Sequence, residues 1–179
     1  SWQRGRLSRH TIKEISRAFV SAGDRLRVVV LHHPLEHGPD VEKRLMRGAH
    51  KALVALNEAG ADIVLSGHLH NTVTRPFAVA PGCLFVQAGT GLSSRLRGEG
   101  NTFNLLTASR GKVVIDTFSA GEDAVFEVQG RATFTRTDSG AWAAWRAFAS
   151  RDLTPEIAGL PGFAAPAAVA AIAMAALMA

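Results

Sequence analysis

Two clusters of histidine close two apolar runs in this chain. Arg27-Val28-Val29-Val30-Leu31 stops at His32-His33-Pro34, and Asp62-Ile63-Val64-Leu65-Ser66 stops at Gly67-His68-Leu69-His70. Neutral imidazole is the commonest nitrogen ligand for zinc, iron and related metals. The glycine ahead of His68 lets the backbone turn tightly beside an ion. A single histidine at a strand end is ordinarily solvated or hydrogen-bonded to its surroundings. Two strand ends that both carry histidine favour metal coordination, with His32, His68 and His70 as ligands. His33 neighbours a ligand in an extended segment, so alternation turns its side chain away. His37 falls in a Gly38-Pro39 loop and His50 inside a helical pattern, and neither is favoured. Binding by such a cluster falls below about pH 6.5, where free imidazole protonates.

Between the apolar runs lies an amphipathic pattern from about Val41 to Ala59, closed by Gly60. Leu45, Met46, Ala49, Ala52, Leu53 and Leu56 face inward, and Glu42, Lys43, Arg47 and Lys51 face outward. Strand, helix, strand is a βαβ unit, whose crossover is almost always right-handed. The two strands are then parallel neighbours and their C-terminal ends share one sheet edge, where ligands of open α/β sheets bind. Topology thus brings His32 to His68 and His70.

At these residues the chain resembles the calcineurin-like metallophosphoesterases, the superfamily of purple acid phosphatases and class III cyclic-nucleotide phosphodiesterases. VVVLHHP and GHLH are similar to the last two metal-ligand motifs of that family. Phe85 to Thr90, Ser93 to Glu99 and Asn101 to Asn104 are similar to a bacterial subgroup of it. The resemblance runs from about Trp2 to Thr117. It implies half of a four-layer α/β/β/α sandwich with a mixed sheet, and a dinuclear site of manganese, iron or zinc. It also implies a phosphomonoester or phosphodiester as substrate. His32 matches the first histidine of H-x-P, and His68 and His70 match GHxH; His32 and His68 would serve one metal and His70 the other. The family's D-x-H, G-D and G-N-H motifs have no counterpart here, although Asp24, Asp40 and Asp62 are present. The resemblance is therefore to a C-terminal half carrying the three-histidine part of the site, inactive alone. The alternatives are a non-catalytic metal-binding or assembly module, or half of an enzyme completed by another chain or a second copy.

The 179-residue sequence divides into residues 1–120 as that half-domain, 121–152 as accessory strands with a short helix, and 153–179 as an apolar tail. The first 25 residues hold one helix, with Ser8 as N-cap, Leu7 stapling onto Ile12, and Gly23 as the stop. Net charge of +5 comes from scattered arginines with no basic run, so a solvated arginine-rich surface is favoured, a phosphate-bearing substrate is a sufficient alternative, and nucleic acid is disfavoured. Cys83 is a lone cysteine in an apolar strand pattern, which excludes an intramolecular disulfide. After His70 the period shortens to that of strands: Asn71–Arg75, broken by Pro76, then Cys83–Gln87, then a hairpin of Asn101–Ala108 with Lys112–Phe118 about Arg110-Gly111. Gly89-Thr90-Gly91 reads as a turn, with Arg95 and Arg97 beyond it as phosphate-contact candidates and Asn71 as a residue supporting the site. Val125–Val128 and Ala132–Thr135 read as two short strands, and Trp142, Trp145 and Phe148 as a short helix packed across the sheet edge. The charge-free stretch Ile157–Ala179 approaches bilayer length but is mostly alanine and interrupted by Pro166, so a disordered or loosely helical end, or an extension without function, is favoured over a membrane anchor. The expected location is cytoplasmic. The exposed edge and face left for a missing half predict dimers or aggregates of the chain alone.

Overall fold

The computed structural model describes residues 5–37, 45–94, 96, 98–145 and 170–174. Helix α1 (Arg9–Val20) opens them. Its N-cap Ser8 accepts from the Thr11 N–H at 3.0 Å, and Leu7, Ile12, Ile15 and Phe19 pack on one hydrophobic cluster. The helix stops at Ser21, with Gly23 in the left-handed region just beyond.

β1 (Val28–Val30), α2 (Ala49–Glu58) and β2 (Ile63–Ser66) form the βαβ unit, with Val29 opposite Val64 in parallel register. β4 (Leu84–Gln87) adds a third parallel strand beside β2, and β3 (Val73–Pro76) runs antiparallel on β4's other side, giving the order β1-β2-β4-β3. Pro76 is tolerated because β3 is an edge strand. Strands β5 (Thr102–Ser109), β6 (Lys112–Ala120), β7 (Phe126–Arg136), β8 (Trp142–Trp145) and β9 (Ala170–Met174) form a second, antiparallel sheet ordered β8-β7-β6-β5-β9.

Alternation along the buried strands assigns the layers. Val64 and Phe85 point to α1 and α2, sharing a core with Leu53, Leu56 and Phe77. Ile63, Leu65, Leu84 and Val86 point the other way, against Leu106, Val113, Ile115 and Phe134 of the second sheet. The layers run helix, sheet, sheet, which is half of an α/β sandwich. Among the described residues no helix covers the outer face of the second sheet.

Four local expectations are corrected. Helix α2 begins at Ala49, with Gly48 at φ +74° as its N-cap. Arg47 instead bridges to Arg6 and donates to the Gly5 carbonyl, so Leu45 and Met46 precede the helix; 41–44 lie outside the described residues. Its C-terminal end is as expected. The Gly60 N–H donates to Asn57 and the Ala61 N–H to Leu56, the bond pair that ends a helix in a left-handed glycine. The segment 126–136 is one strand, its two halves joined through a register shift opposite Thr117/Phe118 that absorbs Gln129-Gly130. Trp142–Trp145 is strand β8, not a helix, yet it does meet the first sheet's edge: the Trp142 indole N–H donates to the Asp62 carbonyl at 3.0 Å. Phe148 lies outside the described residues. Within the tail, 170–174 forms β9, paired antiparallel with β5; 157–169 and 175–179 lie outside. Among the described residues no helix is long and apolar enough to cross a membrane.

Candidate metal centre

The two histidine clusters occupy the C-terminal edge of the first sheet. Beyond Val30 the chain stays registered with β2 for a few residues: the Leu31 N–H donates to the Leu65 carbonyl at 2.9 Å, and the Gly67 N–H to the His32 carbonyl at 3.2 Å. Those bonds hold the loops together although 36 positions separate the residues, and they set His32 Nε2 at 3.2 Å from His68 Nδ1. Nitrogens on one tetrahedral zinc stand roughly 3–4 Å apart, because each bond is about 2.0–2.1 Å. This pair is therefore spaced for one ion.

The third nitrogen donor comes from His33. His32, His33 and His68 each offer a ring nitrogen, all within 4.8 Å of one another. The His33 ring centroid is 4.9 Å from that of His32 and 4.3 Å from that of His68. The alternation that should turn His33 away fails because β1 ends at Val30, and residues 32 and 33 lie in a bend. The N-terminal segment packs against the same ring. A Cβ on Gly5 would come within 2.8 Å of His33 Nδ1. Downstream, Glu36 pairs with Arg75 and accepts from the Ala78 N–H, while Arg75 lies 5.6 Å over Phe85. The loop after the histidines is thereby tied to the core.

His70 is held differently. It is buried, and its Nδ1 lies 2.9 Å from the Thr90 hydroxyl. An oxygen partner on one ring nitrogen orients the other, a common arrangement for metal-bound imidazole. Thr90 reads in sequence as part of a turn, and nothing in its spacing marks it. Nearby, Glu99 accepts twice from the Thr72 N–H, and Gly89 leaves room for Thr102 and Thr72, whose hydroxyls a Cβ there would strike. Asn71 is engaged by Gln87, which donates to its side-chain oxygen at 2.8 Å. Arg95 and Arg97 lie outside the described residues.

The backbone carries strain at the same place. His68 (φ +74°) and His70 (φ +65°) adopt the left-handed region, uncommon for residues other than glycine. Such outliers cost on the order of 1–3 kcal/mol each and concentrate at functional sites. The donor set fits a metal: three imidazoles, preformed spacing, and a fourth histidine oriented by a hydroxyl. The Glu99 carboxylate is occupied by the Thr72 amide.

No protein-family model matches the chain, and no curated protein matches it. Among solved structures it is similar to Vps29 from Entamoeba histolytica. A single mutant of that protein is 22% identical with a TM-score of 0.38, covering 55% of this chain and 53% of its own. The wild type complexed with zinc is 20% identical at 0.35, covering 53% and 51%. A double mutant is 16% identical at 0.29, covering 79% and 89%. The chain thus spans about half the length of the first two.

Proposed function

We propose that this chain carries the three-histidine half of a dinuclear metal site and that the completed site hydrolyses phosphoesters. The observation supporting this is the convergence of His32 and His68 from two parallel strand ends, their ring nitrogens 3.2 Å apart. The motifs at those ends resemble the metal-ligand motifs of calcineurin-like metallophosphoesterases. Manganese, iron or zinc, when bound, would polarise a phosphoryl oxygen and provide hydroxide at neutral pH. The chain's own residues have narrower tasks. His32 and His68 offer lone pairs to one ion. His70, with Nδ1 engaged by Thr90, has Nε2 left for the second. The bridging carboxylates come from a preceding half-domain or a partner chain, because imidazoles are neutral and cannot offset the charge of two metals.

Activity tests this division. The chain alone, supplied with manganese, zinc or iron, hydrolyses bis-p-nitrophenyl phosphate negligibly. Adding a half-domain that supplies the bridging aspartate restores metal-dependent turnover, which His68→Ala abolishes. Metal-dependent turnover by the chain alone, lost in His68→Ala, would contradict the division, as would a failure of complementation.

A second reading is favoured by His33. With His32 and His68 it forms a three-nitrogen set sufficient for a single ion, and the chain is then a non-catalytic metal-binding or assembly module. Metal stoichiometry separates the two. One ion per complete assembly, lost in His33→Ala, supports the module; two ions, with His33→Ala neutral, support the phosphoesterase.

A further inference from the structure

The opposite edge of the first sheet carries a different chemistry. Arg27, Asp62 and Gly82-Cys83 lie just ahead of β1, β2 and β4, at the N-terminal ends of three parallel strands. That edge forms one wall of an open cleft of about 980 Å³, and the β5–β6 turn with the loop 139–141 forms the other. Three guanidiniums line it, Arg27, Arg110 and Arg136, against a single carboxylate, Asp62.

The three arginines are not equally committed. Arg136 is part of the wall: it pairs with Asp62, donates to the Gly82 and Gly140 carbonyls at 2.7 and 2.5 Å, and lies 4.1 Å over Trp142. Arg110 pairs with Asp24, whose side chain is 95% exposed, and such surface pairs contribute little. A better acceptor displaces it. Arg27 is half-buried, and its Nε is buried without a hydrogen-bond partner. Its Nη1 reaches the Gly60 carbonyl only at 3.5 Å. Asp62 does not serve this guanidinium; one oxygen takes Arg136 and the other the Arg27 backbone N–H at 2.8 Å. Gly60 packs its backbone against the Arg27 head, where a Cβ would stand 2.7 Å from Nη1. The guanidinium is thus positioned before any ligand arrives.

We propose that this cleft binds the phosphate group of a small soluble ligand between Arg27 and Arg110. A planar guanidinium fork matches the oxygen spacing of phosphate and accepts no hydrogen bonds of its own, and the Arg27 head, whose acceptor is the Gly60 carbonyl at 3.5 Å, keeps terminal N–H donors for an anionic oxygen. With Arg136 paired to Asp62 and Arg110 to Asp24, the uncompensated positive charge is that of Arg27, and it favours the same class of ligand. The cleft is separate from the histidines by the length of β2, roughly 13 Å for a strand of this length. Binding here is therefore independent of metal.

Inorganic phosphate titrated into the chelator-treated chain, followed by amide NMR shifts, tests this. Binding saturates, and acetate at equal ionic strength does not compete. Arg27→Gln and Arg110→Gln each weaken binding about tenfold or more, as loss of a charged hydrogen bond requires, while His68→Ala leaves it unchanged. If Arg27→Gln does not fold, Arg110→Gln carries the test, since that side chain is 61% exposed. Absence of saturation, undiminished binding in either folded arginine variant, or loss of binding in His68→Ala overturns the proposal.

Discussion

The two sheets of this molecule solve different problems. β2 and β4 are four residues each and buried at every position, covered by helices on one face and by the second sheet on the other. β7 is eleven residues long and alternates between exposed Glu127 and Gln129 and the half-buried residues between them. A strand buried on both faces has no solvent side to vary, and its ends are pinned by neighbours in parallel register. The candidate metal centre and the arginine cleft both sit on the ends of those short strands. The long antiparallel strands supply cover.

The largest difference is one of stability. Phe85→Ala on β4 removes a fully buried ring that stacks on Phe77 with centroids 4.8 Å apart. It costs about 3–5 kcal/mol in urea unfolding, whereas Gln129→Ala on β7 changes stability by less than about 0.5 kcal/mol. Equal effects would erase the distinction between the sheets.

Next come the ion pairs joining them. Asp62→Ala strands the part-buried Arg136 and the Arg27 amide, for a loss of about 2–3 kcal/mol. Asp24→Ala breaks an exposed pair and costs less than about 0.5 kcal/mol. Thermal melts of the two variants compare them directly.

Cys83 gives a smaller, pH-dependent effect. Burial, reinforced by the Asp62 carboxylate and opposed by Arg136, pushes its thiol from 9.0 up to about 12. Its native pKa is raised, so the unfolded chain loses the proton first. The thiol's contribution to stability is whole below pH 9 and declines as pH climbs toward 12. Cys83→Ala should flatten that alkaline decline, and the native thiol should resist alkylation at pH 8 until the protein unfolds. Rapid native labelling would show that the thiol is accessible.

Much of the first sheet is legible in the sequence because a strand buried on both faces reads as an unbroken apolar run, and Gly60 marks the end of the crossover helix. The start of that helix is not legible. Leu45 and Met46 continue the helical period, and only the tertiary bridge from Arg6 to Arg47 pulls them out of it. The same limit governs the site. His32 and His68 follow from topology, whereas His33 depends on where β1 stops and on Gly5 lying against its ring. Thr90 is reached only by a fold that returns β4 beside β2. Local period cannot carry such information, since each case is decided by a segment distant in the chain.

If two parallel strand ends build a metal site, zinc titration at neutral pH detects it. Wild-type chain should bind zinc stoichiometrically, His68→Ala should bind at least about a hundredfold more weakly because an imidazole ligand is lost, and His50→Ala, exposed on α2, should match wild type. No binding by the wild type, or equal losses in His68→Ala and His50→Ala, would contradict the account.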